Sequence, residues 1–377
     1  MKRAPSAAAA IVAARRIVIK VGSSLIVGAD GRPNDEWLDG LATDIAAMRR
    51  TGKQVLVVSS GAVAIGRRML GRGGPMRLEQ KQAASAVGQA RLIDAWARAF
   101  APHDAPVGQM LLTLDDTTHR RRYLNARATL AALLDDGAVP VINENDTLAT
   151  SEIRYGDNDR LAAHVAELAG ADLLVILSDV DGLYARDPNA DPDAEFLSVV
   201  ETIDAAVEAM AGGTRKDAGE GAGGMATKLA AAKIVRAAGC ATVVARGEGR
   251  PFARIDGGGR ATLFCADGSV EAARKTWIRN LQRSGGAIRI DAGAVAALKA
   301  GASLLPVGVV AVEGAFQLGD VVVVEGPEGA RIAKGLVAFD ADDLRRVAGL
   351  ASSEVAAALG YRRRDAVIDR DDLVLTE

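Results

Sequence analysis

From position 16 to about 263 the chain alternates short, continuous apolar runs with longer stretches of helical periodicity. RIVIKV, QVLVVSS, VGQML, AVPVIN, DLLVIL and ATVV begin at positions 16, 54, 107, 138, 172 and 241. They are continuously apolar, most of them rich in β-branched residues, and bounded by turn residues, the pattern of strands buried on both faces. Between them lie helical stretches. Asn34 is placed to cap a helix over 35–50, with Asp35 and Glu36 in the first turn where the helix dipole favours anions. Residues 79–100 and 123–136 are similarly long and amphipathic. Strand, helix, strand in this order requires right-handed crossovers, and so a mainly parallel sheet with helices on both faces. The expected fold is a three-layer α/β/α domain.

The pattern changes over 262–281, and from 285 the segments become short, Val- and Gly-rich and closely spaced. AIRI, ASLLPVGVVAVEG, DVVVVEG and RIAKGLVAF read as strands of a small β-barrel or sandwich, with a helix over 292–299 between the first two. SSEVAAALG reads as a closing helix and DDLVL as a last strand. These patterns divide the chain into a flexible tail (1–15), an α/β domain (16–280) and a β-rich module (281–377). The tail has the outline of a signal peptide, but its apolar run is Ala-rich, short and broken by Arg15 and Arg16. No window approaches the ~20 apolar residues of a membrane helix, so the expectation is a soluble, cytoplasmic protein.

Charge narrows the partners. A net charge of −2 provides no global field for nucleic acid or an anionic membrane. The β-rich module has 11 basic against 14 acidic residues, a net −3. Arg362, Arg363 and Arg364 form only a local basic cluster, so an RNA-binding role is disfavoured. Cys240 and Cys265 make no zinc spacing or disulfide framework and read as ordinary buried thiols. His103, His119 and His164 are scattered, with no His-x-x-x-His pair to hold a metal, and no residue is assigned as a metal ligand.

In open α/β sheets ligands bind beyond the carboxyl ends of the strands, and four of these ends are rich in polar residues. Lys20 ends an otherwise apolar strand, where it either meets an anion or extends its ammonium into water. Gly22 would let backbone N–H groups approach a phosphate, and Ser23 and Ser24 keep the entrance open. SSGAVAIG, from Ser59, precedes a helix and is either a plain serine cap or an anion-receptive turn. Asn143, Asn145 and Asp146, then Asp157, Asn158 and Asp159, crowd two consecutive loops. One cap would suffice for a helix there, so a polar ligand explains this density better.

GEGAGGMATK, from 219 to 228, contains Gly-x-Gly-x-x-Gly, but no strand leads directly into it and Arg246 stands where an acidic residue would be needed. That context excludes a dinucleotide fingerprint. What remains is either a flexible linker or a glycine loop entering a helix, with Lys228 in the first turn as a phosphate ligand.

Taken in order, KVGSSL, SSGA, NEND, GDND, SDVDGLY and GGMATK resemble the motifs of the amino acid kinase family, in the branch that acts on free glutamate and carries a C-terminal PUA domain. LNAR and VGQMLLT, between Val107 and Arg127, are similar to this subgroup as well. The resemblance covers nearly the whole chain from Arg16. It implies ATP-dependent phosphorylation of the side-chain carboxylate of L-glutamate with Mg²⁺, L-proline as feedback inhibitor, and a homo-oligomer. It implies ATP contacts at Lys20, Ser178, Asp179, Ala222, Gly223, Gly224, Met225, Ala226, Thr227 and Lys228. Glutamate contacts are implied at Ser60, Asp146 and Asn158, with Lys20, Lys228 and Asp159 as the catalytic set. Ser178 and Ala222 stand where the family often has threonine, so the hydroxyl is missing at 222. Kinases of the same fold acting on acetylglutamate, aspartate or a nucleoside monophosphate are the nearest alternatives.

Overall fold

The computed structural model describes residues 5–149, 158–188, 190–212, 224–280, 284–361 and 365–376. Its chain divides into two compact units, Met1–Val270 and Glu271–Glu377.

In the first unit the apolar runs form strands β1 (Arg16–Val21), β2 (Gln54–Ser59), β3 (Val107–Leu112), β4 (Val139–Glu144) and β5 (Leu173–Ser178). Then follow β6 (Leu183–Tyr184), β7 (Phe196–Leu197), β8 (Val199–Val200), β9 (Ala241–Arg246) and β10 (Ala261–Phe264). Eight of them form one sheet in the order β3-β4-β2-β1-β5-β9-β10-β8, and β6 and β7 form a separate hairpin. The strands from β3 to β9 all pair in parallel; β10 is antiparallel to β9 and carries β8 parallel to itself at the edge. This reversed edge is absent from the sequence reading because its strands span only four and two residues.

Alternation along the strands splits the core into two layers. Ile17, Ile19 and Val21 of β1 pack with helices Asp35–Arg50 and Leu78–Phe100. Val18 faces the other way, toward helices Asn158–Ala169 and Met225–Ala237. The period of two places Lys20 on the face of Val18, and this decides which helices it can meet.

Residues 1–15 need a correction: the expected flexible tail contains a helix, Ala7–Ala13. Ser6 caps it by accepting from the Ala9 amide at 3.2 Å, and Lys53 Nζ donates to the carbonyls of Val12 and Ala14 at 2.6 Å each. Alanine has the highest helix propensity, and Ala7 and Ala14 are buried in the main core. Tertiary contact orders a segment whose composition alone reads as a fray.

Helices Ala62–Met69 and Leu78–Phe100 cross with their backbones in contact. A Cβ at Gly88 would stand 1.8 Å from the Ala62 carbonyl oxygen, and one at Gly66 1.7 Å from that of Ala84. Gly88→Ala is therefore expected to force the helices apart and cost about 1–3 kcal/mol, as overpacking does. Urea unfolding measures this, and an unchanged midpoint would show that the crossing absorbs a methyl group.

The second unit opens with helix Val270–Asn280, whose Ile278 is buried with Val321, Leu336 and Val374 and whose Arg274 pairs with Asp372. These contacts put the division at 270 rather than near 280. Strands β11 (Gly286–Ile290), β12 (Val309–Gly314), β13 (Val321–Glu325), β14 (Arg331–Leu336) and β15 (Leu373–Leu375) form a sheet in the order β12-β11-β13-β14-β15. Helix Ala292–Lys299 lies where its pattern places it, and Ser352–Leu359 follows the SSEVAAAL run. The expected strand over ASLLPVGVVAVEG is shorter than its apolar run: Pro306 starts a 3-10 turn, Pro306–Gly308, and the strand begins after it.

Candidate active site

The sheet order lays out the polar strand ends in a row. In the sequence β4, β2, β1, β5 they are Asn143 to Asp146, then Ser59 and Ser60, then Lys20 and Gly22, then Ser178 and Asp179. β1 is the switch point, because the chain builds β2 on one side of it and later crosses to build β5 on the other.

Three ionic side chains meet beside β1. Lys20 Nζ lies 2.6 Å from Asp159 Oδ1, and Lys228 Nζ 3.4 Å from Asp159 Oδ2. The Thr227 hydroxyl donates to Asp159 Oδ2 at 2.8 Å. Asp159 stands in the first turn of helix Asn158–Ala169, and Lys228 in the first turn of helix Met225–Ala237. Both helices pack on the face to which β1 directs Lys20. The cluster is buried: Asp159 is 0% exposed, Lys228 2% and Lys20 8%. Burial pushes the Asp159 carboxyl up, but the Lys20 and Lys228 ammonium groups, aided by Lys20 and Thr227 hydrogen bonds, hold it below the usual carboxylate range. Lys20 and Lys228 both face Asp159 in a place of low dielectric, where ammonium groups would complement a phosphoryl group.

On the β2 and β4 side, Asn158 Nδ2 donates to Ser60 Oγ at 2.7 Å and to Asn143 Oδ1 at 3.1 Å. Asn143 Nδ2 in turn donates to Gln89 Oε1 at 2.9 Å. Gly61 caps the following helix at φ 108°, a left-handed conformation that glycine adopts without strain. Asp146 Oδ2 accepts from Ser85 Oγ at 2.8 Å. On the β5 side Ser178 Oγ donates to Asp179 Oδ1 at 2.8 Å, and the Ser178 carbonyl accepts from the Gly247 amide at 2.7 Å. Gly224 caps the helix of Lys228, and Met225, Ala226 and Thr227 make its first turn. Ala222 and Gly223 lie outside the described residues, as does Asp157.

Three positioning residues escaped the sequence reading. Ser85, Gln89 and Trp96 on helix Leu78–Phe100 support Asp146, Asn143 and Ser59, the last through Trp96 Nε1 donating to Ser59 Oγ at 3.0 Å. The available signal was Ser85 and Gln89, polar residues four apart on an otherwise apolar helix face. Among the described residues no three His, Cys, Asp or Glu side chains gather to hold a metal. Cys240 is buried, and burial pushes its thiol up and keeps it protonated, while Cys265 is partly exposed.

A mainly parallel sheet with two lysines and one carboxylate at its switch point is a place suited to a phosphorylated ligand. Residues 15–246 match the amino acid kinase family and residues 286–359 the PUA domain. The chain belongs to the amino acid kinase family. Within it the chain groups with the glutamate 5-kinases: it is 53% identical to glutamate 5-kinase 1 of Rhizobium meliloti (strain 1021) over 96% of this chain and 92% of that one. The glutamate 5-kinase of Paramagnetospirillum magneticum (strain ATCC 700264 / AMB-1) is also 53% identical, over 97% and 99%. A solved carbamate kinase from Giardia lamblia matches at 18% identity and a TM-score of 0.47, over 68% of this chain and 99% of that one.

Proposed function

We propose that the chain transfers the γ-phosphoryl group of ATP to the side-chain carboxylate of L-glutamate, forming L-glutamyl 5-phosphate, the first step of proline biosynthesis. The observation that carries this reading is the buried Lys20, Asp159 and Lys228 cluster beside β1. A flank of hydroxyls and amides stands on one side of it and Ser178 with Asp179 on the other.

In this reading glutamate lies over β2 and β4. Ser60 and Asn158 hold its polar ends, and Asp146, oriented by Ser85, takes its ammonium group. ATP lies over β5, with contacts from Lys20, Ser178, Asp179 and the 222–228 loop. The attacking carboxylate has an ordinary pKa of ~4.3 and is already ionised near neutrality, so the site needs no general base. The difficulty is charge, since an anion attacks a polyanion. Lys20 and Lys228 stabilise the charge that gathers on the transferring group, and Asp159 fixes both ammonium groups in place. With Asp159 occupied by lysines and no acidic cluster among the described residues, the side chains fit a Mg²⁺ ion held by nucleotide phosphates and water rather than by a protein cage. Such an ion would neutralise phosphate charge.

Cytoplasmic placement, homo-oligomeric assembly and inhibition by proline belong to the same reading and rest on the family resemblance. Among the described residues no helix is long and apolar enough to cross a membrane.

The direct test offers the purified protein ATP, Mg²⁺ and hydroxylamine with glutamate, acetylglutamate or aspartate in turn. Hydroxamate from glutamate is the expected product. A signal with acetylglutamate or aspartate and none with glutamate would transfer the assignment to the neighbouring kinases.

A further inference from the structure

The reversal at the sheet edge puts the start of β10 beside the loops that follow the parallel strands. β9 runs parallel to β5, with Ser178 opposite Arg246, and β10 runs back antiparallel to β9, starting from Ala261 opposite Ala245. The period of two turns Thr262 to the face on which Phe264 is buried, the face of the helices that carry Asp159 and Lys228. The β6 and β7 hairpin, which continues the SDVDGLY run, packs into the same layer through Leu183 and Leu197.

Thr262 is 0% exposed, and its hydroxyl joins both strands of that hairpin. Oγ1 accepts from the Leu183 amide at 2.8 Å and donates to the Leu197 carbonyl at 2.6 Å, two residues that stand opposite each other. Gly182 enters the hairpin at φ 151°, and a Cβ there would lie 2.3 Å from Thr262 Oγ1, so only a glycine lets the chain come this close. Two residues before Thr262, Arg260 Nη1 donates to Tyr184 Oη at 3.0 Å. Its guanidinium carbon stands 6.0 Å from the Tyr184 ring centre and 5.5 Å from that of Phe196. Tyr184 Oη donates to Asp181, 3.0 Å from each carboxylate oxygen. The loop from Ser178 to Gly182 is thus held at its start by the Gly247 amide and at its end by residues of the reversed edge.

We propose that Thr262 is a positioning residue for the nucleotide: by tying Leu183 to Leu197 it fixes the loop that presents Ser178 and Asp179, and Arg260 with Tyr184 completes the anchor through Asp181. A side chain with no exposed surface reaches no ligand, so Thr262 acts through the loop. A loop ordered in advance loses less conformational freedom when ATP binds, and the effect therefore falls on nucleotide affinity. This role rests on the kinase reading above, which lays ATP over β5, and brings the edge strand into it.

Thr262→Val keeps the shape and removes the hydroxyl; Thr262→Ser keeps the hydroxyl. The valine variant is expected to raise KM for ATP, and the Kd for ATP measured by calorimetry without glutamate, about tenfold, the scale of one or two net hydrogen bonds. Amide hydrogen exchange at Leu183 should quicken, kcat and KM for glutamate should hold, and serine should restore the affinity. Tyr184→Phe keeps the ring and cuts the link to Asp181; it should give a smaller loss of ATP affinity, and it replaces the valine variant should that one fail to fold. Wild-type KM and Kd for ATP in the folded variant overturn the proposal. So do equal rises in KM for both substrates, which would mark a general loosening of the fold. A wild-type protein that binds ATP and leaves glutamate unphosphorylated removes the substrate assignment, while the Kd still decides the role of Thr262; one that binds no ATP removes both.

Discussion

Asp159→Asn is expected to lower the unfolding free energy by about 3–5 kcal/mol, the cost of removing one partner from a buried ion pair. It should also reduce kcat by at least ~10²-fold. The carboxylate is 0% exposed and faces ammonium groups from β1 and from helix Met225–Ala237. An amide of the same shape keeps the packing but leaves two buried cations to repel each other. The pH dependence has a definite sign. The folded carboxyl lies below its unfolded value of ~3.9, so its stabilisation is present in full above that value and lost as pH falls through the folded pKa. The wild-type advantage over the asparagine variant should accordingly hold at neutral pH and shrink below about pH 4. Urea titrations at neutral and acid pH measure it. Equal midpoints at neutral pH would refute the electrostatic account of the cluster.

Lys228→Met should cost less stability than Asp159→Asn and much the same in rate. Removing this ammonium leaves the Lys20 and Asp159 pair intact at 2.6 Å and fills the space with an apolar chain of similar length. Asp159 keeps Lys20 as a partner and one of two neighbouring like charges is gone, so the fold should lose less than the ~3–5 kcal/mol of a buried charge left with no partner. The rate should fall ~10²–10³-fold, because one of two charges facing the transition state is gone. Steady-state kinetics alongside urea melts separate the two effects. A folded Lys228→Met protein with near wild-type kcat would remove Lys228 from the catalytic set.

Much of the architecture was legible because its signals are local. Apolar runs such as RIVIKV and DLLVIL have a single sensible reading as buried strands, and Asn34 caps its helix at the position its sequence context requires. What escaped depends on partners distant in the chain. The Ala-rich N-terminus becomes a helix through Ser6, Lys53 and a core that buries Ala7. The edge strands β8 and β10 are too short for periodicity to show. At the site, the residues alone singled out the polar crowd of Asn143 to Asp146 and Asp157 to Asp159, while Lys20 and Lys228 stayed open between structural and ligand roles and took their catalytic roles from the family resemblance. Ser85, Gln89 and Trp96 were not legible, because each lies within an ordinary amphipathic helix and gains its role only from the loop it meets. The bond from Ser85 to Asp146 belongs to the same kind of detail, since loop sequence does not reveal which helix a carboxylate will lean on.

The cluster beside β1 draws its members from positions 20, 159 and 228. Contacts of such long sequence separation form late in folding, after loop-closure entropy has been overcome. A chain leaving the ribosome holds Lys20 for most of the synthesis of its first unit without either partner. The centre cannot assemble before residue 228 has emerged, so shorter nascent chains would bind no nucleotide through this cluster.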